Sequence, residues 1–410
     1  MDERSYLRDL AKRYLEIANL PIMAEREALW YRHNALKGER PVIVMEIETF
    51  EQDLVEKPIC ESSFGRNVEW YFKKAITNHE LVDDDKVVSP YFPLSLAIQV
   101  KSFGIDRKRV FAEDAHGRKI GYRDIHLIED LEEDFDKLKP FELRYDAEST
   151  ENFRSYLTDL LGDLMPIRED NRSLDWFGGI SQYIIEIMGM EALMYAMIDE
   201  PDAVHRLYNF VADQIIRILD MQEAQGLLRP NNGNNYSGAG SYGFTHELHP
   251  TVPAHCREIW GNLNSQETVS ISPSMYHDFV FPAYKRVAEK FGLTYYGCCE
   301  PVHSIWADVK TLPHLRKVSV SPWCDEKFMG EELRHTPIIY SRKPSPNFIG
   351  VGELLDEEAY TKHIDETLTC AAGCELEIIH RDIYTLSGHK EKPGKAVKII
   401  RKEIDRLWNR

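Results

Sequence analysis

Regular alternation between helical periodicity and short apolar runs dominates the chain after residue 148. Helical periodicity covers 149–163, 191–198, 201–225, 274–291, 302–310, 354–371 and 391–409. The apolar runs lie near 165–168, 228–230, 268–271, 293–298, 315–322, 337–343 and 375–383. Strands that alternate with helices form βαβ units and therefore a parallel sheet. So many units in one chain predict an α/β protein, a closed (β/α)8 TIM barrel rather than an open doubly wound sheet.

Two regions precede or interrupt this pattern. Residues 1–37 have the spacing of amphipathic helices and form a predicted N-terminal extension before the apolar run 40–47. Between about 87 and 140, short apolar or alternating runs precede the acidic stretch EDLEEDFDKLKP, which indicates an inserted strand and loop region. We expect residues 1–410 to form a single domain, because barrels often exceed the usual domain length. No G-x-G-x-x-G segment follows a predicted strand, which disfavours a dinucleotide-binding fold.

Charge and hydropathy limit the partners that the chain can have. The 68 acidic and 50 basic side chains give a net charge of −18, which repels nucleic acid and anionic membranes. No stretch approaches the roughly 18 apolar residues of a membrane span, and the N-terminal residues lack the apolar core of a signal peptide. The seven cysteines do not suggest a disulfide framework, so we expect reduced thiols and a cytoplasmic protein.

The segment YYGCCEP places two adjacent cysteines at the end of a predicted strand. In a barrel, active-site residues lie at the carboxyl ends of the strands and in the loops that follow. Side chains alternate along a strand, so Tyr296 and Cys298 should share one face, and Tyr295 and Cys299 the other. We predict that Cys298 faces the barrel mouth and that Cys299 packs under a helix.

Further candidates for ligands lie far from this segment along the chain. Cys374 stands at the start of the last predicted strand, and only a tertiary fold could bring it to Cys298. Each cysteine alone is more often a small buried apolar residue than a ligand. The segment 231–250, rich in glycine and asparagine, carries His246 and Glu247. It is either a surface loop or a lid that delivers a ligand, and the sequence leaves this open.

Residues near other predicted strand ends are candidates for substrate binding. Asn264 lies in NSQE, Trp323 in SPWCDE and Arg342 in SRKP. Arg342 and the following Lys343 either bind an anionic group of a substrate or are solvated surface charges.

Several of these segments together carry a family pattern. They are ALWYRHNALKGERPVI, GSYGFTHEL, SQETVSISPSMYHDFVFP, FGLTYYGCCEP, LRKVSVSPW, YSRKPSP and CELEIIHRDIYTL. With them the chain resembles the uroporphyrinogen decarboxylase-like superfamily, especially its branch of corrinoid-linked methyltransferases and O-demethylases. The resemblance covers most of the chain from about 28 to 386, and it implies a (β/α)8 barrel with a zinc ion at its mouth.

The resemblance also implies a set of zinc ligands. In the methyltransferase branch the ligand pattern is His-x-Cys followed much later by a second cysteine. Cys298 and Cys374 match the two sulfur positions, but Tyr296 stands at the histidine position. Glu247 is the first replacement for that histidine, with Glu300 and His303 next. Thiolate, carboxylate and imidazole are ligands that zinc accepts.

The function implied by the resemblance is zinc-dependent methyl transfer from a small donor, with a methoxylated aromatic favoured. A zinc Lewis acid would stabilise the leaving oxygen, and Tyr296 or His246 would donate a proton or orient the ring. The acceptor would be a corrinoid on a partner protein, because the chain has no D-x-H-x-x-G motif; DIHLIE lacks the glycine. A second copy of the chain is a further partner that stays open.

Three alternatives remain beside this function. One is a methyltransferase that moves a methyl group from a methylated corrinoid protein to a thiol, since that reaction needs the same metal site. Decarboxylation of a porphyrinogen is disfavoured, because no R-Q-A-G-R motif is present to hold its carboxylates. The third is a barrel that binds a small ligand without catalysis.

Overall fold

The structure is a computed structural model that describes residues 2–104, 109–113, 119–170, 172–174 and 177–408. Its strands are β1 (Val42–Met45), β2 (Phe92–Ser95), β3 (Ile98–Lys101), β4 (Arg109–Glu113), β5 (Lys119–Asp124), β6 (Glu142–Tyr145), β7 (Ile167–Asp170), β8 (Tyr236–Gly238), β9 (Ser241–Tyr242), β10 (Trp260–Leu263), β11 (Leu293–Tyr296), β12 (Leu315–Val320), β13 (Ile339–Arg342) and β14 (Leu376–His380).

Helices surround these strands along the whole chain. The α-helices are α1 (Glu3–Ala18), α2 (Pro21–Asn34), α3 (Glu51–Leu54), α4 (Ser63–Thr77), α5 (Leu131–Asp134), α6 (Ala147–Leu161), α7 (Ile180–Met188), α8 (Met190–Asp199), α9 (Pro201–Ala224), α10 (Pro273–Met275), α11 (Phe281–Ala288), α12 (Trp306–Val309), α13 (Glu326–Leu333), α14 (Asn347–Gly350), α15 (Glu357–Cys370) and α16 (Lys392–Leu407). Shorter 3-10 and π-helical turns are Ile47–Thr49, Asn78–Val82, Phe135–Lys137, Arg172–Leu174, Cys256–Glu258, Gln266–Thr268, Tyr276–Val280 and Val302–Ile305. Within the described part of the chain, no helix is both long enough and apolar enough to cross a bilayer.

Local sequence explains where many of these helices begin. The side chains of Ser62, Asp146, Asp325 and Asp356 each accept a hydrogen bond from a backbone N–H in the first turn of the helix that follows. This capping satisfies donors that the first turn of a helix leaves free. The predicted helices are confirmed within a few residues as α6, α8, α9, α10 with α11, α12, α15 and α16.

One parallel sheet of six strands forms the centre of the fold, in the order β1, β14, β13, β12, β11, β10. A single parallel bridge between Gly178 and Leu263 continues beyond β10, and β2 pairs in parallel with β7. The predicted α/β class with a largely parallel sheet is thus confirmed. The described strands do not pair into a closed ring of eight, so the barrel itself stays a prediction.

Two of the predicted strands are wrong, and one strand of the structure was not predicted. Residues 228–230 and 268–271 are not strands, and β10 was not predicted. Segment 228–230 leads to Asn231, whose side chain bonds Trp260 N and O at 2.8 and 3.0 Å, in place of a backbone ladder. β10 lacks a continuous apolar run because Gly261 packs so closely on Phe291 that a Cβ would lie 2.2 Å from its ring.

The N-terminal extension and the insertion are partly visible. Helices α1 and α2 confirm the helical prediction for 1–37. Strands β4 and β5 pair antiparallel within the predicted insertion, and β3 pairs antiparallel with β6 just after it. Residues 105–108 and 114–118 of the insertion lie outside the described residues. The extent of a single domain over 1–410 stays a prediction.

The hairpin β8–β9 packs against one face of the central sheet, which we call the inner face. Gly238 has φ +148°, and a Cβ there would lie 2.5 Å from the Tyr295 ring of β11. Gly240 has φ +85°, and a Cβ there would lie 2.5 Å from Ile379 of β14. Ala239 between them is fully buried. This hairpin is therefore an interior element, whereas His246 and Glu247 later in the segment 231–250 are exposed. A lid role for the segment stays a prediction.

We expect Gly238→Ala to destabilise the protein by about 1–3 kcal/mol more than Gly388→Ala, because only the first adds a methyl group to a filled interior. Gly388 is the matched control, since it has φ +83° and nothing within 4 Å of its added Cβ. Urea unfolding of both variants measures the difference. Equal losses of unfolding free energy in the two variants would show that Gly238 does not pack tightly on the Tyr295 ring.

Candidate active site

The carboxyl edge of the six-stranded sheet gathers sulfur and charged side chains from three strands. The Cys298 and Cys299 sulfurs, just after β11, are 3.5 Å apart, and the Cys299 thiol donates to Asp382 Oδ2 at 3.4 Å. Arg381 Nε, just after β14, lies 3.3 Å from both Asp382 Oδ2 and Glu46 Oε2. Glu46 follows β1 directly. This group of five residues is the candidate active site.

The side chains of the candidate active site shift one another's ionisation. The hydrogen bond between the Cys298 and Cys299 sulfurs and burial raise the pKa of Cys298 far above its ordinary value. Burial raises the pKa of Glu46. Burial alone would lower the pKa of Arg381, but Glu46 and Cys298 outweigh it and raise that pKa. The site therefore holds a permanent cation beside a protonated thiol at neutral pH.

A buried amine lies below this edge on the inner face. Lys343, directly after β13, donates from Nζ to the Tyr295 hydroxyl at 2.8 Å and to the Ser341 carbonyl at 3.2 Å. It also contacts the Ser341 hydroxyl, which accepts from Tyr295 at 2.9 Å. Among the described residues, no carboxylate forms an ion pair with Lys343. Burial lowers its pKa to about 7.

The amino half of the inner face contains a second buried amine, but this one is paired. Lys317 Nζ lies 3.3 Å from Glu377 Oε2, which also accepts from the Ser241 hydroxyl of the hairpin at 2.9 Å. His33 of α2 lies 3.1 Å from both Glu377 and Glu375. Burial would raise the pKa of Glu377, but Lys317 and His33 together hold it well below its ordinary value. This network joins α2, the hairpin and two strands.

A cavity of about 1090 Å³ opens beside the candidate active site. Glu46 and Arg381 line it at one end, and the hairpin contributes Tyr236 and Gly240. Its further lining includes the aromatic rings of Tyr71 and Tyr91 and the guanidinium groups of Arg154, Arg168, Arg172 and Arg229. The guanidinium of Arg168 lies 4.5 Å from the centre of the Tyr91 ring. Aromatic walls with cationic groups suit a planar ligand that carries negative charge.

The predicted orientation of Tyr296 is wrong. Its hydroxyl points away from the inner face and bonds Ser265 Oγ and the Tyr276 hydroxyl, each at 2.6 Å. Gly297 has φ +99°, which breaks the alternation between Tyr296 and Cys298. Tyr295 is the tyrosine that faces inward, and strand periodicity could not reveal this because the break follows the strand.

The structure does not bring the three predicted zinc ligands together. Cys374 is buried before the first residue of β14, and its sulfur contacts the Gly330 carbonyl at 3.4 Å. Glu247 bonds Arg316, near the start of β12, at 2.6 and 2.7 Å. Both therefore lie at the amino edge of the parallel sheet, whereas Cys298 lies at the carboxyl edge. The assignment of Cys374 and Glu247 as ligands of one metal with Cys298 is wrong on these grounds.

Glu300 and His303, the next candidates for the third zinc ligand, and His246 all contact other residues of the protein. The carboxylate of Glu300 accepts from the backbone N–H groups of Ser265 and Cys298 at 2.8 and 2.7 Å. His303 Nδ1 accepts from Asp325 N at 3.3 Å. His246, next to Glu247, stacks on Tyr31 of α2 with ring centres 4.1 Å apart. His246 thus lies with the amino-edge residues and does not fit a proton donor at Cys298.

The donor set as placed does not fit zinc. Among the residues that the structure describes, no group of three or more histidine, cysteine, aspartate or glutamate side chains could hold a metal ion. Cys298, Cys299 and Asp382 come nearest to such a group in chemistry, since zinc accepts thiolate and carboxylate ligands. All seven cysteines are free thiols.

The predicted substrate-binding residues have three different environments. Arg342 is buried, pairs with Glu326, and donates to the Val320 and Ser321 carbonyls at 3.2 and 2.7 Å. Its donors are used by the protein, which does not fit an anion-binding role. Trp323 is 72% exposed, so its role in substrate binding stays a prediction. Asn264 is buried with an Oδ1 that accepts no hydrogen bond, and its role also stays a prediction.

Sequence reasoning missed Glu46, Arg381 and Asp382. Each is a charged residue directly after an apolar run, as in VIVME and LEIIHRD. The predicted strands 40–47 and 375–383 extend past these positions, so the strand-end rule does not single them out. Lys343 was named, but only together with Arg342 as a surface or anion-binding pair.

Comparisons with known proteins identify a fold. No protein-family model matches the chain, and no curated protein matches its sequence. A methyltransferase from Methanosarcina mazei is similar in structure, with a TM-score of 0.50 and 15% identity over 94% of this chain and 99% of that one. A B12-independent methionine synthase from Shewanella sp. W3-18-1, in complex with selenomethionine, gives a TM-score of 0.29 and 13% identity over 76% of this chain and 79% of that one. The second score supports no conclusion, and the first shows that the chain shares the fold of that methyltransferase.

We expect Glu377→Gln to cost about 3–5 kcal/mol of stability at neutral pH, because it leaves Lys317 buried without its carboxylate. Unfolding in urea, followed by circular dichroism, measures the loss. Glu353→Gln is the control, since Glu353 is exposed and should change stability by less than about 0.5 kcal/mol. A Glu377→Gln protein as stable as the control would contradict the paired state of the network.

Proposed function

We propose that this protein is an enzyme that removes a methyl group from a small methylated donor, most favourably a methoxylated aromatic compound. The observation that carries the proposal is the fold shared with a methyltransferase over almost the whole chain. The cavity at the carboxyl edge supports it, because active sites of βα folds lie at that edge. The methyl acceptor in this proposal is the corrinoid of a separate protein, as the sequence resemblance implies.

The lining of the cavity supports the choice of an aromatic donor. Tyr71 and Tyr91 present apolar ring surface, and Arg168 makes no ion pair with any described carboxylate. Arg154 and Arg229 both pair with Glu169, and Arg154 also pairs with Glu151, so Arg168 is the better candidate of the three for binding an anionic group. A donor with an aromatic ring and an anionic substituent would match both features.

Zinc remains part of the proposal only as the resemblance implies it. A zinc ion, when bound, would supply a Lewis acid that stabilises the oxygen released by the methyl group. Because Cys298, Cys374 and Glu247 do not converge, the residues present do not fit such an ion, and the proposed reaction does not depend on it. The residues that act on the donor in this proposal are those of the cavity: they bind the ring, orient its anionic group and exclude water.

We also propose that the six-stranded sheet is the larger part of a (β/α)8 barrel. Its strands are in barrel order, and β1 and β10 are its two edges. The bridge from Gly178 to Leu263 and the parallel pair of β2 with β7 supply further parallel segments that could complete the ring.

A direct assay tests the proposed reaction. We expect the protein, mixed with a reduced corrinoid protein and 4-methoxybenzoate, to yield methylated corrinoid and the corresponding phenol in equal amounts. Arg168→Gln should raise KM for this anionic donor about tenfold, which corresponds to a loss of roughly 1.4 kcal/mol of binding free energy. The KM for the uncharged 4-methoxybenzyl alcohol should not change.

Arg257→Gln is the matched control, because Arg257 is exposed and does not line the cavity. The corrinoid absorbance and the phenol, separated by chromatography, are the two measurements. Failure to methylate the corrinoid with any methoxylated, methylthio or methylamino donor would reject methyl transfer and favour a barrel that only binds a ligand.

A further inference from the structure

Tyrosine rings form much of the wall of the cavity beside the candidate active site. Six tyrosines line it, and all of them except Tyr14 are half-exposed. The half-exposed ones are Tyr31, Tyr71, Tyr91, Tyr236 and Tyr242. The face of an aromatic ring is electrostatically negative, so a wall of such rings attracts a cation that has lost part of its water. Among the described residues, Arg168 is the one cation that lies over any of these rings.

Glu48 adds a carboxylate to the wall of the same cavity. It belongs to the 3-10 turn Ile47–Thr49 that follows β1, and its exposed side chain lines the cavity. Burial between the cavity walls would raise the pKa of Glu48, but the charges of Lys86, Lys74 and Arg172 outweigh this effect and lower that pKa. Glu48 is therefore a negatively charged carboxylate at neutral pH.

The nearest lysines do not neutralise this carboxylate directly. Lys74 pairs with Glu51 at 3.3 Å, and Lys86 lies 4.0 Å from Asp84. Within the part of the chain that the structure describes, no cation forms an ion pair with Glu48. Its charge therefore faces the open cavity, where the cationic group of a ligand can reach it.

The carboxylate and two of the rings are neighbours. Burial raises the pKa of Tyr242, and the charges of Glu48 and Glu46 raise it further, which places the three groups close together. Burial and the charge of Glu46 likewise raise the pKa of Tyr236. Aromatic faces beside a carboxylate suit a quaternary ammonium group, which carries a positive charge but has no N–H to donate.

The same cavity offers a place for a negative charge as well. Arg168 lines it and makes no ion pair with any described carboxylate. Glu48 and Arg168 therefore supply one unpaired charge of each sign to a single cavity of about 1090 Å³. A zwitterionic ligand would pair with both of them.

We propose that the cavity binds a methyl donor that carries a quaternary ammonium group, with Glu48 as its counter-ion. The rings of Tyr236 and Tyr242 surround the N-methyl groups, and an anionic substituent of the donor binds Arg168. The substrate class is thus a zwitterionic N-methylated compound. This inference rests on the proposed methyl transfer and adds nitrogen to oxygen as an atom from which the methyl group can be removed.

The chemistry of such a donor agrees with the groups that the cavity contains. The bond between one methyl carbon and nitrogen breaks, and its electrons stay on nitrogen. The methyl carbon bonds to the reduced corrinoid acceptor, which supplies the electron pair of the new bond. The released product is a neutral tertiary amine, so its departure requires neither a proton nor a Lewis acid at nitrogen. The described side chains, which do not converge on a metal ion, therefore suffice for this donor.

Two ligands of equal shape test the role of charge at this site. 4-(Trimethylammonio)benzoate and 4-tert-butylbenzoate share a ring, a carboxylate and a branched group of the same size, but only the first has a cationic nitrogen. In isothermal titration calorimetry, the wild-type protein should bind the first ligand about tenfold more tightly. Equal affinities, or tighter binding of 4-tert-butylbenzoate, would overturn the proposal.

Substitution of Glu48 separates binding from a structural role. Glu48→Gln should weaken binding of 4-(trimethylammonio)benzoate about tenfold and leave binding of 4-tert-butylbenzoate unchanged. Glu353→Gln is the control, because Glu353 is exposed and does not line the cavity, and it should change neither affinity. An equal loss of affinity for both ligands in Glu48→Gln would show a structural role and reject Glu48 as the counter-ion.

Substitution of Tyr242 tests the aromatic part of the site. Tyr242→Phe keeps the ring and should preserve the preference for the ammonium ligand, whereas Tyr242→Leu should reduce it about threefold or more. If Tyr242→Leu does not fold, Tyr236→Leu gives the same comparison on the neighbouring ring. A preference unchanged in the folded leucine variant would contradict the aromatic contact.

A reaction mixture distinguishes this inference from the proposed function. With reduced corrinoid protein, 4-(trimethylammonio)benzoate should yield methylated corrinoid and 4-(dimethylamino)benzoate in equal amounts. Binding that depends on Glu48, without methyl transfer from any donor, would support the site and overturn only the proposed function. Methyl transfer from 4-methoxybenzoate, together with binding that does not depend on the ligand cation, would support the proposed function and overturn this inference.

Discussion

The carboxylate of Glu377 is the point at which four separate elements meet. Lys317 reaches it from β12, His33 from α2 and Ser241 from the hairpin, while Glu377 itself belongs to β14. A charge buried on the inner face is stable only while such partners surround it, because removing it from water costs several kcal/mol. The position of the hairpin β8–β9 therefore depends on the buried ion pair between Lys317 and Glu377. The packing of Gly238 on Tyr295 depends on it as well. Arg381 and Asp382 of the candidate active site follow the far end of the same strand, β14.

Much of the fold could be predicted from the sequence, because most strands and helices have a clear periodicity. β12, β13 and β14 are apolar runs between helices, and they were found. β10 was not found, since its sequence WGNL is fitted to neighbours distant along the chain: the Phe291 ring above Gly261 and the side chain of Asn231 beside Trp260. Close approach between distant segments leaves no local signal. The closed barrel also depends on such contacts between distant segments.

The candidate site could be predicted only in part, for a related reason. The rule that chemistry lies at strand ends located Cys298 and the segment that contains Lys343. Cys374 and Glu247 were grouped with Cys298 through the family resemblance, although Cys374 stands at the start of its predicted strand and therefore at the opposite edge of a parallel sheet. The choice of Tyr296 over Tyr295 failed because the conformation of Gly297 has no counterpart in an alternating pattern.

Gly297 also separates two demands that the end of β11 must meet. Up to Tyr296 the strand obeys the packing of a layered interior, with one tyrosine inward and the next against the surrounding helices. After Gly297 the chain changes direction, so the side chains of Cys298 and Cys299 no longer alternate between the two faces of the sheet. Substitutions in the reactive segment can therefore alter chemistry while the strand beneath keeps its packing. A single glycine in this place would let new reactions evolve on an unchanged framework.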